Sequence, residues 1–323
     1  MIYHEPVLLK EVIKYLDPKP NQNFIDCTLG NGGHAIALAI KLETGKVLGI
    51  DLDSEIIKLA AERIEEQGLV DKVILVQDNF KNLKKIVEEN KFYPINGILV
   101  DLGISSYELQ DQERGFSFLL EGPLNMRYAH ESYSNESRID TRIEDGITAA
   151  EILNQWPEKE LERIFREYGE ERYSKQIAEE IIKTREREEI KTTVDLVKII
   201  ERVYRGKPKP KIHFATKVFQ ALRIAVNDEL NNLKQLLPQA IEILDKGGKL
   251  TVISFHSLED RIVKDFFKQE ARGCICPVEI PVCRCNHKPI IKIINKKPII
   301  PTLAEIQKNP RSRSAKLRVI EKI

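Results

Sequence analysis

The residues best suited by type and spacing to do chemistry begin with Phe24-Ile25-Asp26-Cys27-Thr28-Leu29-Gly30-Asn31-Gly32-Gly33-His34. An apolar start, a glycine cluster and an apolar helical pattern over residues 35–42 spell strand, tight loop and helix. Gly30, Gly32 and Gly33 permit positive φ and close backbone approach to a ligand. The helix behind them offers free N–H groups to polar ligand atoms. The next strand, residues 47–50, runs into Asp51, 21 residues after Gly30. That is about the offset at which an acid meets the ribose hydroxyls of a nucleotide. Taken alone the loop is ambiguous. Gly30-Asn31-Gly32-Gly33-His34-Ala35 also satisfies the dinucleotide pattern G-x-G-x-x-A, which keeps a nicotinamide-dependent dehydrogenase in view.

Asp26 tips the balance. In a dinucleotide fold an apolar strand runs directly into the first glycine. An acid at the strand end, D-x-x-x-G-x-G, resembles motif I of S-adenosylmethionine (SAM) methyltransferases, whose loop cradles the amino-acid part of SAM. The pattern then repeats. Residues 72–77 lead into Asp78-Asn79-Phe80, and residues 95–100 into Asp101-Leu102-Gly103. In an open parallel sheet the ligand sits outside the carboxyl ends of the strands, and Asp26, Asp51, Asp78 and Asp101 all fall there.

A second group lies at and after the end of a fifth strand, residues 249–255: Ser254, His256 and Asp260. His256 is a candidate to bind a base or a phosphate. The competing role is capping and packing, because Ser257 with Asp260 spells a capping box. Thr216, Gln220, Arg223 and Asn227 form one polar stripe on a helix over residues 213–229, read either as a solvated face or as a functional one. Cys274-x-Cys276 and Cys283-x-Cys285 invite either zinc or free loop thiols; C-x-C is less typical of zinc than C-x-x-C.

The elements that must position these groups are legible. Residues 7–16 form an amphipathic helix followed by Pro18 and Pro20. After Asp101 the βα rhythm breaks. Residues 104–130 are an irregular segment rich in turn formers, and from Thr148, which opens a capping box with Glu151, the pattern is helical. Gly206-Lys207-Pro208-Lys209-Pro210-Lys211 reads as a stiff basic linker. Residues 289–295 and 315–320 suggest a closing antiparallel pair. The expected architecture is an α/β, Rossmann-like seven-stranded sheet (residues 1–108 and 213–323) with an inserted all-helical domain (109–212).

Composition narrows the function classes. With 323 residues, 42% of them hydrophobic, the chain can bury a substantial core. Its net charge of +1 provides no global field for nucleic acid. Basic residues are concentrated locally: residues 286–323 carry ten Lys/Arg against two acids, and residues 183–217 eleven against five. Two such segments suggest a phosphate-facing side. The N-terminus lacks the basic region and apolar run of a signal peptide, and no stretch approaches a membrane span. Five cysteines, four of them between 274 and 285, fit a reducing cytoplasm.

The chain resembles the bacterial 16S ribosomal RNA cytosine-N4 methyltransferases along nearly its whole length. The matching stretches include His4-x-Pro6-Val7-Leu8-Leu9-x-Glu11, the 26–34 loop, Asp101-Leu102-Gly103-Ile104-Ser105-Ser106, Arg114-Gly115-Phe116-Ser117-Phe118, residues 122–127, 219–224 and 252–264, and Asn309-Pro310-Arg311-Ser312-Arg313-Ser314-Ala315. The resemblance implies a SAM-dependent enzyme, with S-adenosylhomocysteine as product, acting on 16S rRNA in the decoding region of the small ribosomal subunit. It further implies SAM contacts from Gly32, Gly33 and His34, from Asp51 to the ribose, from Phe80 on the adenine side, and from Asp101. Glu108 stands where the family usually has Gln, and brings charge near the cofactor.

Cytosine N4 is a poor nucleophile because its lone pair is delocalised into the ring. Transfer is helped by aiming it at the methyl and by an acceptor for one of its hydrogens. Asp101 and His256 are the candidates for catalytic groups, and no metal is required. The target base must be unpaired or flipped out, with Tyr107, Phe116 or Phe118 available to stack on it or to serve as core. Two rivals remain: the nicotinamide-dependent dehydrogenase, and a non-catalytic ribosome-assembly factor with a vestigial pocket. No protein partner is inferable.

Overall fold

A computed structural model describes residues 6–129, 146–208, 211–274, 276, 284–285 and 288–323. In chain order, α1 (Leu9–Leu16), β1 (Phe24–Asp26), α2 (Gly33–Ala39), β2 (Val47–Asp51), α3 (Ser54–Glu66), β3 (Val73–Gln77), α4 (Leu83–Glu89) and β4 (Gly97–Asp101) come first. The helices α5 (Ser106–Gln110), α6 (Ala149–Gln155), α7 (Glu158–Glu167), α8 (Ser174–Arg185), α9 (Thr193–Tyr204) and α10 (Thr216–Asn227) follow. The chain closes with α11 (Glu229–Ile243), β5 (Lys249–Ser254), α12 (Ser257–Glu270), β6 (Ile291–Ile293), α13 (Leu303–Lys308) and β7 (Lys316–Lys322).

The seven strands form one sheet in the order β3-β2-β1-β4-β5-β7-β6. The first five pair in parallel, and β7 runs antiparallel to both β5 and β6. This is the Rossmann-like, seven-stranded architecture expected, including the antiparallel closing pair. The order reverses at β1, whose neighbours are β2 and β4, so the chain ends of β1 and β4 flank the crevice where such sheets bind ligands. Successive residues of a strand face opposite ways, and the core follows that alternation. Ile98 and Val100 of β4 join one apolar layer, with Leu48, Ile50, Leu236 and Val252. Leu99 joins another, with Phe24, Val47, Ala35, Leu38 and Leu317.

The chain divides into two compact units, residues 1–103 with 230–323, and residues 104–229. The second unit has its own core of Leu153, Leu161, Phe165, Ile177, Leu196 and Ile199. Capping boxes start α6, from Thr148 and Glu151, and α9, from Thr192 and Asp195. The structure departs from the sequence reading at α10. That reading placed residues 213–229 with the sheet, but Val218, Phe219, Ala221 and Leu222 are buried in the core of the second unit. A helical period shows that a face is apolar; it does not say which core takes it.

Candidate methyl-donor site

Local sequence sets the loop after β1. Gly30 and Gly32 take positive φ, +49° and +73°, where a Cβ is strained, and the Gly32 N–H donates to the Leu29 carbonyl at 2.9 Å. Asp51, at the end of β2, clamps this loop. Its Oδ2 accepts from the Gly30 N–H at 2.9 Å and its Oδ1 from the Asp53 N–H at 3.0 Å. From the other side, the Thr28 hydroxyl accepts the N–H of Asp101, at the end of β4, at 2.6 Å. The ends of β2 and β4 are thus tied to the loop after β1 by hydrogen bonds between side chain and backbone.

The carboxylates themselves are left over. Asp26 is buried; its Oδ1 accepts from the Thr28 N–H at 3.2 Å, while its Oδ2 has no hydrogen-bond partner among the described residues. Asp101 Oδ1 and both ring nitrogens of the buried His34 are in the same condition, and His34 Nε2 lies 3.5 Å from Asp101 Oδ2. Buried polar atoms are normally satisfied, so a cluster of orphans marks where a ligand's polar groups belong. Burial pushes the Asp26 carboxyl up to about 6, against the pull of His34 and the Thr28 N–H. Desolvation likewise raises Asp51 to about 6, opposed by its bonds from Asp53 and Gly30.

The MraW methylase family model matches residues 1–323. The chain belongs to the MraW methylase family. It is 48% identical over 321 residues to ribosomal RNA small subunit methyltransferase H of Dehalococcoides mccartyi, covering 99% of this chain and 86% of that one. The enzyme of the same name from Carboxydothermus hydrogenoformans is 44% identical, covering 99% and 98%, and that of Heliobacterium mobile 46%, covering 99% of each. The chain is therefore a methyltransferase, and its methyl donor is SAM.

The site fits that donor. Asp26 Oδ2 and Asp101 Oδ1, without a partner among the described residues, could accept from an ammonium group, while both oxygens of Asp51 already accept from backbone N–H groups. The same acids disfavour a dinucleotide, because a pyrophosphate placed against unpaired carboxylates is repelled. Phe80 opens a short 3₁₀ turn after β3, where Asp78 Oδ1 accepts from Asn82 Nδ2 at 2.8 Å and so steadies the turn. Asp26, singled out in the motif but not expected as a direct ligand-binding residue, joins the site through its orphaned oxygen.

Other expected site residues have structural partners, although the buried His256 Nε2 makes no hydrogen bond among the described residues. His256, not Ser257, is the N-cap of α12. Its Nδ1 accepts from the Glu259 N–H at 3.5 Å, the Glu259 carboxylate accepts the N–H groups of Phe255 and His256, and His256 Nε2 lies 3.0 Å from Glu259 Oε1. Asp260 serves β7 rather than a capping box: it accepts from Arg318 Nε at 2.6 Å and Lys316 Nζ at 3.3 Å. Partial burial works to raise its carboxyl, and these two cations hold it below the usual carboxylate range. Ser254 is buried in β5, with its hydroxyl 3.5 Å from the Lys316 carbonyl.

In the second unit, Glu108 is buried and completes a capping box with Ser105, accepting that residue's N–H at 2.7 Å and facing Arg114 Nη2 at 3.8 Å. Phe116 is buried and stacked on Tyr128; Phe118 stacks on His213 with ring centroids 4.6 Å apart. Both are core-side aromatics, whereas Tyr107 is exposed. The polar stripe on α10 is internal wiring. Gln220 donates to the Tyr168 carbonyl, Arg223 pairs with Glu229 through two bonds of 2.8 and 3.0 Å, and Asn227 both donates to the Met126 carbonyl and accepts from the Tyr128 N–H. Of the basic linker, Lys207 lies over the Tyr173 ring at 3.7 Å and Lys211 is exposed. Lys209, His4 and Cys283 fall outside the described residues. Among the described residues no helix is long and apolar enough to cross a membrane.

Proposed function

We propose that the chain transfers the methyl group of SAM to the exocyclic N4 amine of a cytidine in 16S rRNA, within the small ribosomal subunit and in the cytoplasm. The observation that carries this reading is the cluster of unpartnered buried polar atoms on Asp26, His34 and Asp101, in a chain of the MraW methylase family. The names of the relatives support ribosomal RNA of the small subunit as substrate.

SAM supplies the electrophilic methyl. Gly32, Gly33 and His34 hold the amino-acid end, with the Asp26 and Asp101 carboxylates accepting from its ammonium. Asp51 accepts from the ribose hydroxyls, and Phe80 packs on the adenine side. Asp101 has a second duty: one carboxylate oxygen accepts an N4 hydrogen of cytosine, letting that nitrogen pyramidalise and present its lone pair. His34 beside it orients the carboxylate. His256 acts through packing and capping of α12, not on the reacting atoms. The second unit supplies substrate recognition: Tyr107 stacks on the extruded base, and Lys207, Lys209 and Lys211 hold phosphates. The test is transfer of radiolabelled methyl from SAM to assembled small subunits, followed by mapping of the labelled nucleotide. Label on a cytidine N4 is expected; no label, or label elsewhere, refutes the reading.

A further inference from the structure

The connection between α12 and β6 gathers thiols that the methyl-donor site does not use. The sulfurs of Cys274, Cys276 and Cys285 all lie within 4.8 Å of one another. Cys274 Sγ and Cys285 Sγ are 3.8 Å apart. A disulfide would bring them to about 2.05 Å. A tetrahedral zinc ion, with Zn–S bonds of about 2.3 Å, sets its sulfurs about 3.8 Å apart. The Arg284 N–H donates to Cys276 Sγ at 3.4 Å, the kind of outer bond that orients a thiolate ligand.

The surroundings point the same way. Among the described residues of 272–290 none is buried, so the described part of this segment has no apolar packing to hold it in shape. Yet it brings Cys285 back onto Cys274 and Cys276. The segment carries Arg272, Arg284 and Lys288 against one acid, Glu279.

We propose that Cys274, Cys276 and Cys285 bind one Zn²⁺ ion, which staples the α12–β6 connection. Each thiol gives its proton to solvent as its sulfur binds the metal; nothing is oxidised or reduced, and zinc affinity therefore falls with falling pH. Cys283 lies outside the described residues, and the proposal stands on the three thiols alone.

The experiment uses the full chain, purified with a non-thiol reductant and stripped by chelation. Zn²⁺ is added back and bound metal is measured after gel filtration; Co²⁺ serves as a spectroscopic probe. The expected result is about one zinc per chain, thiolate-to-cobalt charge-transfer absorption, and slower proteolytic cutting between residues 271 and 290 in the loaded protein. Cys274→Ser, Cys276→Ser and Cys285→Ser should each weaken zinc binding at least roughly tenfold, with SAM binding unchanged as the check that the fold survives. Zinc retention below about one tenth of an equivalent by the reduced protein, or serine variants that keep wild-type zinc, would overturn the proposal. So would a Cys274–Cys285 disulfide persisting under reductant.

Discussion

The hydroxyl of Thr28 accepts the backbone N–H of Asp101 at 2.6 Å. This bond joins the loop after β1 to the end of β4, and the two strands end in Asp26 and Asp101, each with one carboxylate oxygen that has no hydrogen-bond partner among the described residues. Thr28→Val keeps the shape and removes the acceptor. Leaving a buried N–H unsatisfied costs about 1–3 kcal/mol. The expected outcome is a lower melting temperature together with weaker SAM binding by calorimetry, and Thr28→Ser should restore both. A valine variant with wild-type SAM affinity would show that the bond does not position the site.

Asp101→Asn separates the two duties assigned to that side chain. The amide is a weaker acceptor for the N4 hydrogen, so single-turnover methylation should fall at least about a hundredfold. SAM affinity should fall much less, because Asp26 still receives the ammonium. Wild-type values of both would remove Asp101 from the chemistry.

Asp26 and Asp51 predict an unusual dependence on pH. Both carboxyls are raised to about 6 in the folded chain, chiefly by burial. A raised acid adds stability that is fully present below its unfolded value and is lost as pH rises through its folded one. The SAM-free protein should therefore become more stable between pH 7 and pH 5, by about 1 kcal/mol for each group. SAM affinity should move the opposite way, weakening as pH falls through about 6, because binding needs both carboxylates ionised. Denaturant unfolding of the wild type and of Asp26→Asn at several pH values measures the first; loss of part of the slope in the variant is expected.

Gly115 adopts φ +68°, and a Cβ there would run into the Pro123 carbonyl. The backbone strain alone costs on the order of 1–3 kcal/mol, and the overlap adds to it. Gly115→Ala should destabilise the second unit measurably in thermal unfolding. A melting curve identical to wild type would mean that this turn relaxes freely.

Substrate form is the last prediction. Under the proposed function, Lys207, Lys209 and Lys211 hold phosphates of the folded RNA, which a short oligonucleotide lacks. Assembled small subunits should be methylated faster than such an oligonucleotide. Replacing Lys207, Lys209 and Lys211 by Gln should weaken substrate binding and flatten its salt dependence, leaving SAM affinity unchanged. Equal rates on the two substrates, or an unchanged salt slope, would count against the phosphate contacts.

By itself the sequence determined the sheet, because strand, loop and helix are local patterns. An apolar run ending in an acid and glycines marks a parallel strand and its ligand end wherever the rest of the chain goes, and β1, β2 and β4 end as their sequences indicate. Position along the chain was also enough to put Asp51 and Asp101 at the ends of β2 and β4. Only the tertiary structure decided which polar groups are spent and which are left over. Asp26 and Asp101 keep unpartnered oxygens, while Glu108, Asp260 and Asn227 are consumed by partners at Ser105, Arg318 and Met126. The reason is that a hydrogen-bond partner is chosen by geometry. Asp260 and Arg318 meet across 58 residues, Asn227 and Met126 across 101, and no periodicity records such a meeting. The same holds for the thiols: two Cys-x-Cys pairs are visible in the sequence, but only the folded connection brings Cys285 to 3.8 Å from Cys274.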